Sequence, residues 1–168
     1  YTMKKIIIAI DSFKGCLTSA EAGKAAEKGI KSINPSCHTS VIPIADGGEG
    51  LLDVLITATK GKYITLSAHG PLMKMAKTHY GLSGNGRTAI IEMAAISGLP
   101  LVPIEQRNPM LTTTFGTGEL IKDALNKGCR NFIIGIGGSA TNDAGLGMLQ
   151  ALGCLLYTSP SPRDGLLS

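Results

Sequence analysis

Three short apolar runs, each stopping abruptly at a polar turn that carries glycine, constrain the fold of this chain more than any other feature. Lys4-Lys5-Ile6-Ile7-Ile8-Ala9-Ile10 stops at Asp11-Ser12-Phe13-Lys14-Gly15, and Val41-Ile42-Pro43-Ile44 stops at Ala45-Asp46-Gly47-Gly48-Glu49-Gly50. Asn131-Phe132-Ile133-Ile134 stops at Gly135-Ile136-Gly137-Gly138-Ser139-Ala140-Thr141-Asn142-Asp143, and residues 144–152 then have helical spacing. Runs of this kind read as buried strands. In open α/β sheets ligands bind outside the carboxyl ends of the strands, so three such turns predict one shared site, with the first two on neighbouring parallel strands.

The third turn has the form strand, glycine turn, helix, which can aim free backbone N–H groups at an anion. Gly137 and Gly138 lack a Cβ, so the main chain can approach a phosphate closely. Ser139, Thr141 and Asn142 add side-chain donors, and Asp143 can hold a cation or accept a proton. The same residues also read as a tight connection in which Asn142 or Asp143 caps the following helix.

Five motifs occur in order: Asp11-Ser12-Phe13-Lys14-Gly15, Ala45-Asp46-Gly47-Gly48-Glu49-Gly50, Glu92-Met93-Ala94-Ala95, Leu111-Thr112-Thr113-Thr114-Phe115-Gly116-Thr117-Gly118-Glu119-Leu120 and Gly137-Gly138-Ser139-Ala140-Thr141-Asn142-Asp143. Together, over about residues 3–153, they resemble the glycerate kinase family that includes the bacterial glycerate 2-kinases. The resemblance implies a two-lobed α/β fold. A Rossmann-like parallel sheet would occupy residues 3–66, and a second α/β lobe would begin at 67–153 and be truncated there. It implies a kinase that moves the γ-phosphate of ATP, with Mg²⁺, to a hydroxyl of D-glycerate, with 2-phosphoglycerate the favoured product. Family members continue further, so the chain is expected to be an amino-terminal portion, nearly inactive by itself.

Phosphoryl transfer needs cradled phosphates, neutralised charge and an acceptor hydroxyl held in line. Asp11 can orient or deprotonate that hydroxyl, and Lys14 can pair with a phosphate or with the carboxylate of glycerate. With Asp143 these are the expected catalytic residues. Asp46 and Glu49 are the expected metal ligands, being oxygen donors of the kind Mg²⁺ prefers. Ser12, Gly47, Gly48, Thr113, Thr114, Gly137, Gly138, Ser139, Thr141 and Asn142 are the expected substrate and phosphate contacts. Each has a plainer reading: Asp11 and Asp46 as turn or cap residues, Lys14 as a solvated cation, the threonines as a helix cap. Glu92, after Ala89-Ile90-Ile91, reads either as buried and paired or as lying at the cleft.

Elsewhere, Thr18 and Glu21 form a capping box before a helix that runs to about residue 31, with Ala22, Ala25, Ala26 and Ile30 at apolar spacing. Residues 37–44 read as a strand and 49–59 as a helix closing at Gly61. Three alternating runs, 63–68, 76–82 and 87–91, then predict an antiparallel excursion, with Asn85-Gly86 as its hairpin turn. Residues 105–110 read as a connector and 116–126 as a helix ending at Gly128.

Aromatic residues make up only 4% of the chain and the formal charge is +4, which together argue against a nucleic-acid surface and for small anionic substrates. Cys16, Cys37, Cys129 and Cys154 show no metal-ligand spacing and fit a reducing compartment. The opening apolar run is too short for a signal peptide, and no run is long enough to span a membrane, so a cytoplasmic setting is expected. His38, His69 and His79 read as surface or packing residues, and the oligomeric state is left open.

Two other function classes compete. Gly135-x-Gly137-x-x-Ala140 after a strand matches a loose dinucleotide fingerprint, pointing to an NAD(P)-dependent oxidoreductase. A non-catalytic nucleotide-binding module would need the third turn but not the carboxylates of the other two. No Walker A sequence is present. Finally, Cys154-Leu155-Leu156-Tyr157-Thr158-Ser159-Pro160-Ser161-Pro162-Arg163-Asp164 coincides codon by codon with one reading frame of a transposase adapter used in shotgun sequencing. Residues 154–168 are therefore expected to be a non-native tail that packs little and carries no function.

Overall fold

The structure is a computed structural model and describes residues 5–154. Strand β1 (Lys5–Ile10) and strand β2 (His38–Pro43) form a two-stranded parallel sheet, in register from Lys5 opposite His38 to Ile10 opposite Pro43. Helix α1 (Ser19–Ile33) joins them and starts as its sequence requires. The Thr18 hydroxyl accepts from Glu21 N, and Glu21 Oε2 accepts from Thr18 N at 2.9 Å. The apolar stripe is only partly realised, since Ala22 and Gly23 are buried while Ala25 and Ala26 face solvent. Gly23 is the reason: a Cβ there would lie 2.4 Å from Val41 Cγ1, so the helix turns its smallest residues onto β2.

α1 covers one face of this sheet. Ile8 is buried, whereas Ile7 on the opposite face is 59% exposed and Ile42 48% exposed. The expectation of strands buried on both sides is thus met on one side among the described residues.

The remaining strands, β3 (Lys62–His69), β4 (Met75–Leu82), β5 (Thr88–Glu92) and β6 (Asn131–Gly135), form a four-stranded sheet in the order 3-4-5-6. β3 pairs with β4 and β4 with β5 antiparallel, and β6 joins β5 in parallel. The hairpin turn falls at Asn85-Gly86: Gly86 has φ +69°, and Asn85 Oδ1 accepts from the Ser83 hydroxyl and from Arg87 N.

Successive residues of β5 point to opposite faces, and each face has its own helix. Ile90 packs with Leu52 and Ile56 of α2 (Leu51–Thr59). Ala89 and Ile91 pack in the main core with Ala68, Tyr80, Leu120 and Ala124, the last two from helix α4 (Phe115–Asn126). Burying each large apolar side chain in these clusters stabilises the fold by about 1.5–3 kcal/mol. Tyr80, fully buried, donates its hydroxyl to Asp123 Oδ2 at 2.8 Å and so ties α4 to β4.

α2 starts two residues later than its spacing predicts, because Gly50 precedes it with φ +90° and keeps Glu49 in the turn. At its far end Lys60 takes the left-handed conformation, and Gly61 is required by proximity: a Cβ there would sit 2.4 Å from Leu82 O. The lobe boundary expected between residues 66 and 67 lies inside β3. The change of sheet comes at Gly61, and α2, although it follows β2, packs on the second sheet. The expected connector, residues 105–110, overlaps a 3₁₀ turn at Ile104–Gln106, and a second 3₁₀ turn, Leu99–Leu101, and a short helix α3 (Ala94–Ser97) come before it. The last element among the described residues is α5 (Leu146–Ala151). No helix among the described residues is long and apolar enough to cross a membrane. Apart from Cys154, which is exposed, the expected tail lies outside the described residues.

Candidate phosphate-handling site

Ser19, buried at the head of α1, ties the ends of the two parallel strands. Its hydroxyl donates to Ile10 O at 2.6 Å and accepts from Ile44 N at 3.1 Å, so the first two turns emerge side by side. In the first turn Asp11 Oδ1 accepts from Ser12 N at 2.7 Å. Phe13 and Leu17 exchange backbone hydrogen bonds of 2.9 and 3.0 Å, closing a small loop that presents Lys14 and Gly15 to solvent. In the second turn Asp46 Oδ1 accepts from Gly48 N at 3.1 Å, a side-chain-closed turn. A cavity of ≈ 370 Å³ opens between the first turn and the start of α2, where Ser12, Lys14 and Glu49 line it with the apolar Phe13, Leu17 and Val54.

The third turn lies against the second. Gly137 N donates to Gly47 O at 3.1 Å, and a Cβ on Gly137 would lie 2.6 Å from Gly48 Cα. Only bare glycine lets two main chains approach this closely. Beside this contact, at the end of β5, is Glu92, which is opposite Gly135 in the β5–β6 register. Glu92 is 9% exposed, and its Oε1 has no hydrogen-bond partner among the described residues. Burial is the main influence on its carboxyl and raises the pKa above the usual carboxylate range. The N–H groups of Gly50 and Leu52 act the other way, and the charges of Asp53 and Glu49 add to the rise. Of the two readings left open for Glu92, the structure supports burial, without a partner for Oε1 among the described residues, and Glu92 is not among the residues lining the cavity above.

Asp143 and the threonines are placed differently. The helix expected from residue 144 begins at Leu146, with Gly145 at its cap position, and has six residues. Asp143 accepts from Gly145 N and Gly147 N, both at 3.1 Å, and from Thr114 N at 2.8 Å. The Thr114 hydroxyl donates to Asp143 at 2.9 Å and accepts from Met148 N at 2.9 Å, while the Thr113 hydroxyl accepts from Phe115 N at 3.2 Å. These groups clasp the starts of α4 and α5 together. Burial opposes ionisation of Asp143, but the hydrogen bonds from Thr114, Gly147 and Gly145 outweigh it and hold the carboxyl below its usual value.

The open helix terminus expected to receive an anion is therefore not formed, because Asp143 takes the first N–H groups of α5. Within the turn itself, Ala140 N donates to Ser97 O and Thr141 N to Ser139 Oγ. Exposed Gly138 and Asn142, and the Ser139–Thr141 hydroxyl pair at 2.8 Å, remain on its accessible side. A second cavity, of ≈ 240 Å³, lies between this turn and the connector before α4, lined by Arg107, Asn108, Thr112, Ser139 and Thr141. Nothing in the spacing of the sequence marked Arg107 or Asn108, which sit in an irregular segment.

The model of the glycerate kinase family matches residues 6–162. The chain belongs to that family. It is 58% identical over 149 residues to the glycerate kinase of Haemophilus influenzae, covering 89% of this chain and 39% of that protein. It is 53% identical over 152 residues to the glycerate 2-kinase of Escherichia coli K12, covering 90% and 40%. The fold matches a crystal structure described as a glycerate kinase 2 from Salmonella typhimurium LT2, with TM-score 0.77 and 50% identity, over 90% of this chain and 41% of that one. The chain thus spans about 40% of the length of these relatives. The family match includes residues 154–162 of the expected tail.

Proposed function

We propose that this chain supplies the phosphate-handling turns of an ATP-dependent D-glycerate kinase, with the 2-hydroxyl as the favoured acceptor. The observation that carries the reading is the contact of Gly137 with Gly47 and Gly48, which sets two glycine turns together beyond the ends of β2 and β6. Membership of the glycerate kinase family supports the same chemistry. In this reading Lys14, on its closed loop, binds an anionic oxygen. Asp11 keeps Oδ1 on Ser12 N and takes the acceptor hydroxyl's proton at its other oxygen.

Among the described residues no group of three or more metal-ligating side chains is gathered. Mg²⁺ commonly uses one or two carboxylates together with substrate phosphates. Asp46 and Glu49, both exposed on the second turn, are the residues we assign to hold it. Bound together, ATP and Mg²⁺ would supply the transferable phosphoryl group and the neutralising charge. Ser12, Gly47, Gly48, Gly137, Gly138, Ser139, Thr141 and Asn142 are assigned as contacts to phosphate or substrate. Asp143, with Thr113 and Thr114, is assigned a positioning role through the clasp rather than contact with substrate. The proposed partner is the small-molecule substrate in a cytoplasmic setting, without nucleic acid or membrane. Residues from Cys154 onward remain proposed as adapter-derived, which genomic sequence beyond the codon for Gly153 tests.

The functional test uses a chimera in which residues 1–153 replace the segment they match in the Haemophilus influenzae glycerate kinase. Lys14→Ala and Asp46→Asn should each lower glycerate- and ATP-dependent turnover by at least ~10²-fold, the scale of losing one charge-stabilising group. Their circular dichroism should be unchanged, since both side chains lie on exposed turns. Full activity in both variants would remove the first two turns from the mechanism.

A further inference from the structure

We propose that the cleft between residues 139–141 and the connector before α4 is an anion subsite with Arg107 as its cation. Its volume of ≈ 240 Å³ suits a single carboxylate or phosphate group with its adjoining carbons. It is below the roughly 300–1,000 Å³ typical of sites for larger ligands. Among the described residues Arg107 is the only charged one lining it, and no carboxylate does.

The donors around the cleft are arranged before any ligand arrives. Arg107 donates from Nε to Val102 O at 3.2 Å, which aims the planar guanidinium and leaves its terminal nitrogens outside that bond. Among the described residues Arg107 has no ion pair. A guanidinium fork matches carboxylate and phosphate oxygens in pairs, which an ammonium cannot do. Asn108 Oδ1 accepts from Met110 N at 3.0 Å, so the group it has left to offer is its NH₂. Ser139 and Thr141 share one hydrogen bond between their hydroxyls, which leaves one hydroxyl hydrogen of the pair for a ligand.

Both walls are stitched in place. Leu99 N donates to Gly138 O at 3.0 Å, Ala140 N to Ser97 O at 2.9 Å, and the Thr112 hydroxyl to Ala140 O at 2.8 Å. The Arg107 charge, with the Asn108 NH₂ and one hydroxyl of the Ser139–Thr141 pair left to donate, favours an anion. Which anion enters rests on the kinase reading: the carboxylate of the hydroxy-acid acceptor or a phosphate of the nucleotide. The subsite itself does not.

The test titrates the full chain, and each variant, with inorganic phosphate and with D-glycerate, following the backbone N–H resonance of Thr141, which lines the cleft, by NMR. At least one anion should shift that resonance in a saturable way. Arg107→Ala should weaken binding by about 10- to 100-fold, the scale of losing charge-assisted hydrogen bonds. Arg107→Lys, which keeps charge and fold but not the fork, should fall between. Arg87→Ala, on the exposed β4–β5 hairpin, should bind as the parent does. No shift with either anion, or unchanged binding in Arg107→Ala, overturns the subsite. In the chimera, a KM raised by Arg107→Ala for D-glycerate alone assigns the carboxylate, and one raised for ATP alone assigns a phosphate. A chimera that binds the anion through Arg107 but transfers no phosphate would sink the kinase reading and leave the subsite standing.

Discussion

Asp143 shows how one side chain can be legible in kind and not in place. Its position after the glycine turn admits a cap or a catalytic group, and the deciding partner, Thr114, is 29 residues away in sequence. Because its carboxyl is held below the usual value, its contribution to stability is full above that value of 3.8 and fades as the pH falls through the depressed pKa. Asp143→Ala should therefore lose about 2 kcal/mol at neutral pH, measured by urea unfolding, and the difference should shrink in acid. Glu92 has the opposite sign. Its carboxyl is raised by burial, so the folded state holds the proton longer than the unfolded one, and stability falls as the pH rises above 4.5 through the raised value. Glu92→Gln should remove that slope. An equal pH dependence in the variant would show that Glu92 ionises in the folded state as it does in water. The sequence placed Glu92 at a strand end but could not show that Oε1 is left without a partner.

At the scale of elements, the strands that end in glycine turns and the capped start of α1 could be read from local pattern alone. What could not be read was which surface each helix meets. α2 follows β2 yet packs on β4 and β5, because Gly81 leaves room there: a Cβ would lie 2.6 Å from Leu52 and from Ile56. The short α3 and the 3₁₀ turns carry no apolar period long enough to announce them. Close backbone approach is likewise invisible in a sequence until its partner is known. Gly116→Ala would bring a Cβ within 1.9 Å of His69 O, so α4 would have to leave β3, at a cost of about 1–3 kcal/mol in the thermal or urea transition. Gly137→Ala should push the third turn off Gly48. In the chimera its turnover should fall at least ~10-fold with the fold retained, since misplacement by about an ångström has large effects on positioned chemistry. A Gly137→Ala chimera with parental kinetics would mean that this contact does not shape the site.

For the whole molecule, the order of five motifs carried the family, and no single motif did. The exposed faces of β1 and β2 were not foreseen, since Ile7 and Ile42 look like core residues in sequence but have no covering element among the described residues. β3 and α2 both go with the second sheet, which local pattern around residues 51–69 does not announce. The central claim, that these turns serve phosphoryl transfer to D-glycerate, is tested most directly by ³¹P NMR of the chimera incubated with ATP, Mg²⁺ and D-glycerate. The expected result is loss of the ATP γ-phosphate signal with matched appearance of ADP and 2-phosphoglycerate. ATP left intact, with NAD(P)H formed instead when glycerate is supplied with the oxidised nucleotide, would contradict it.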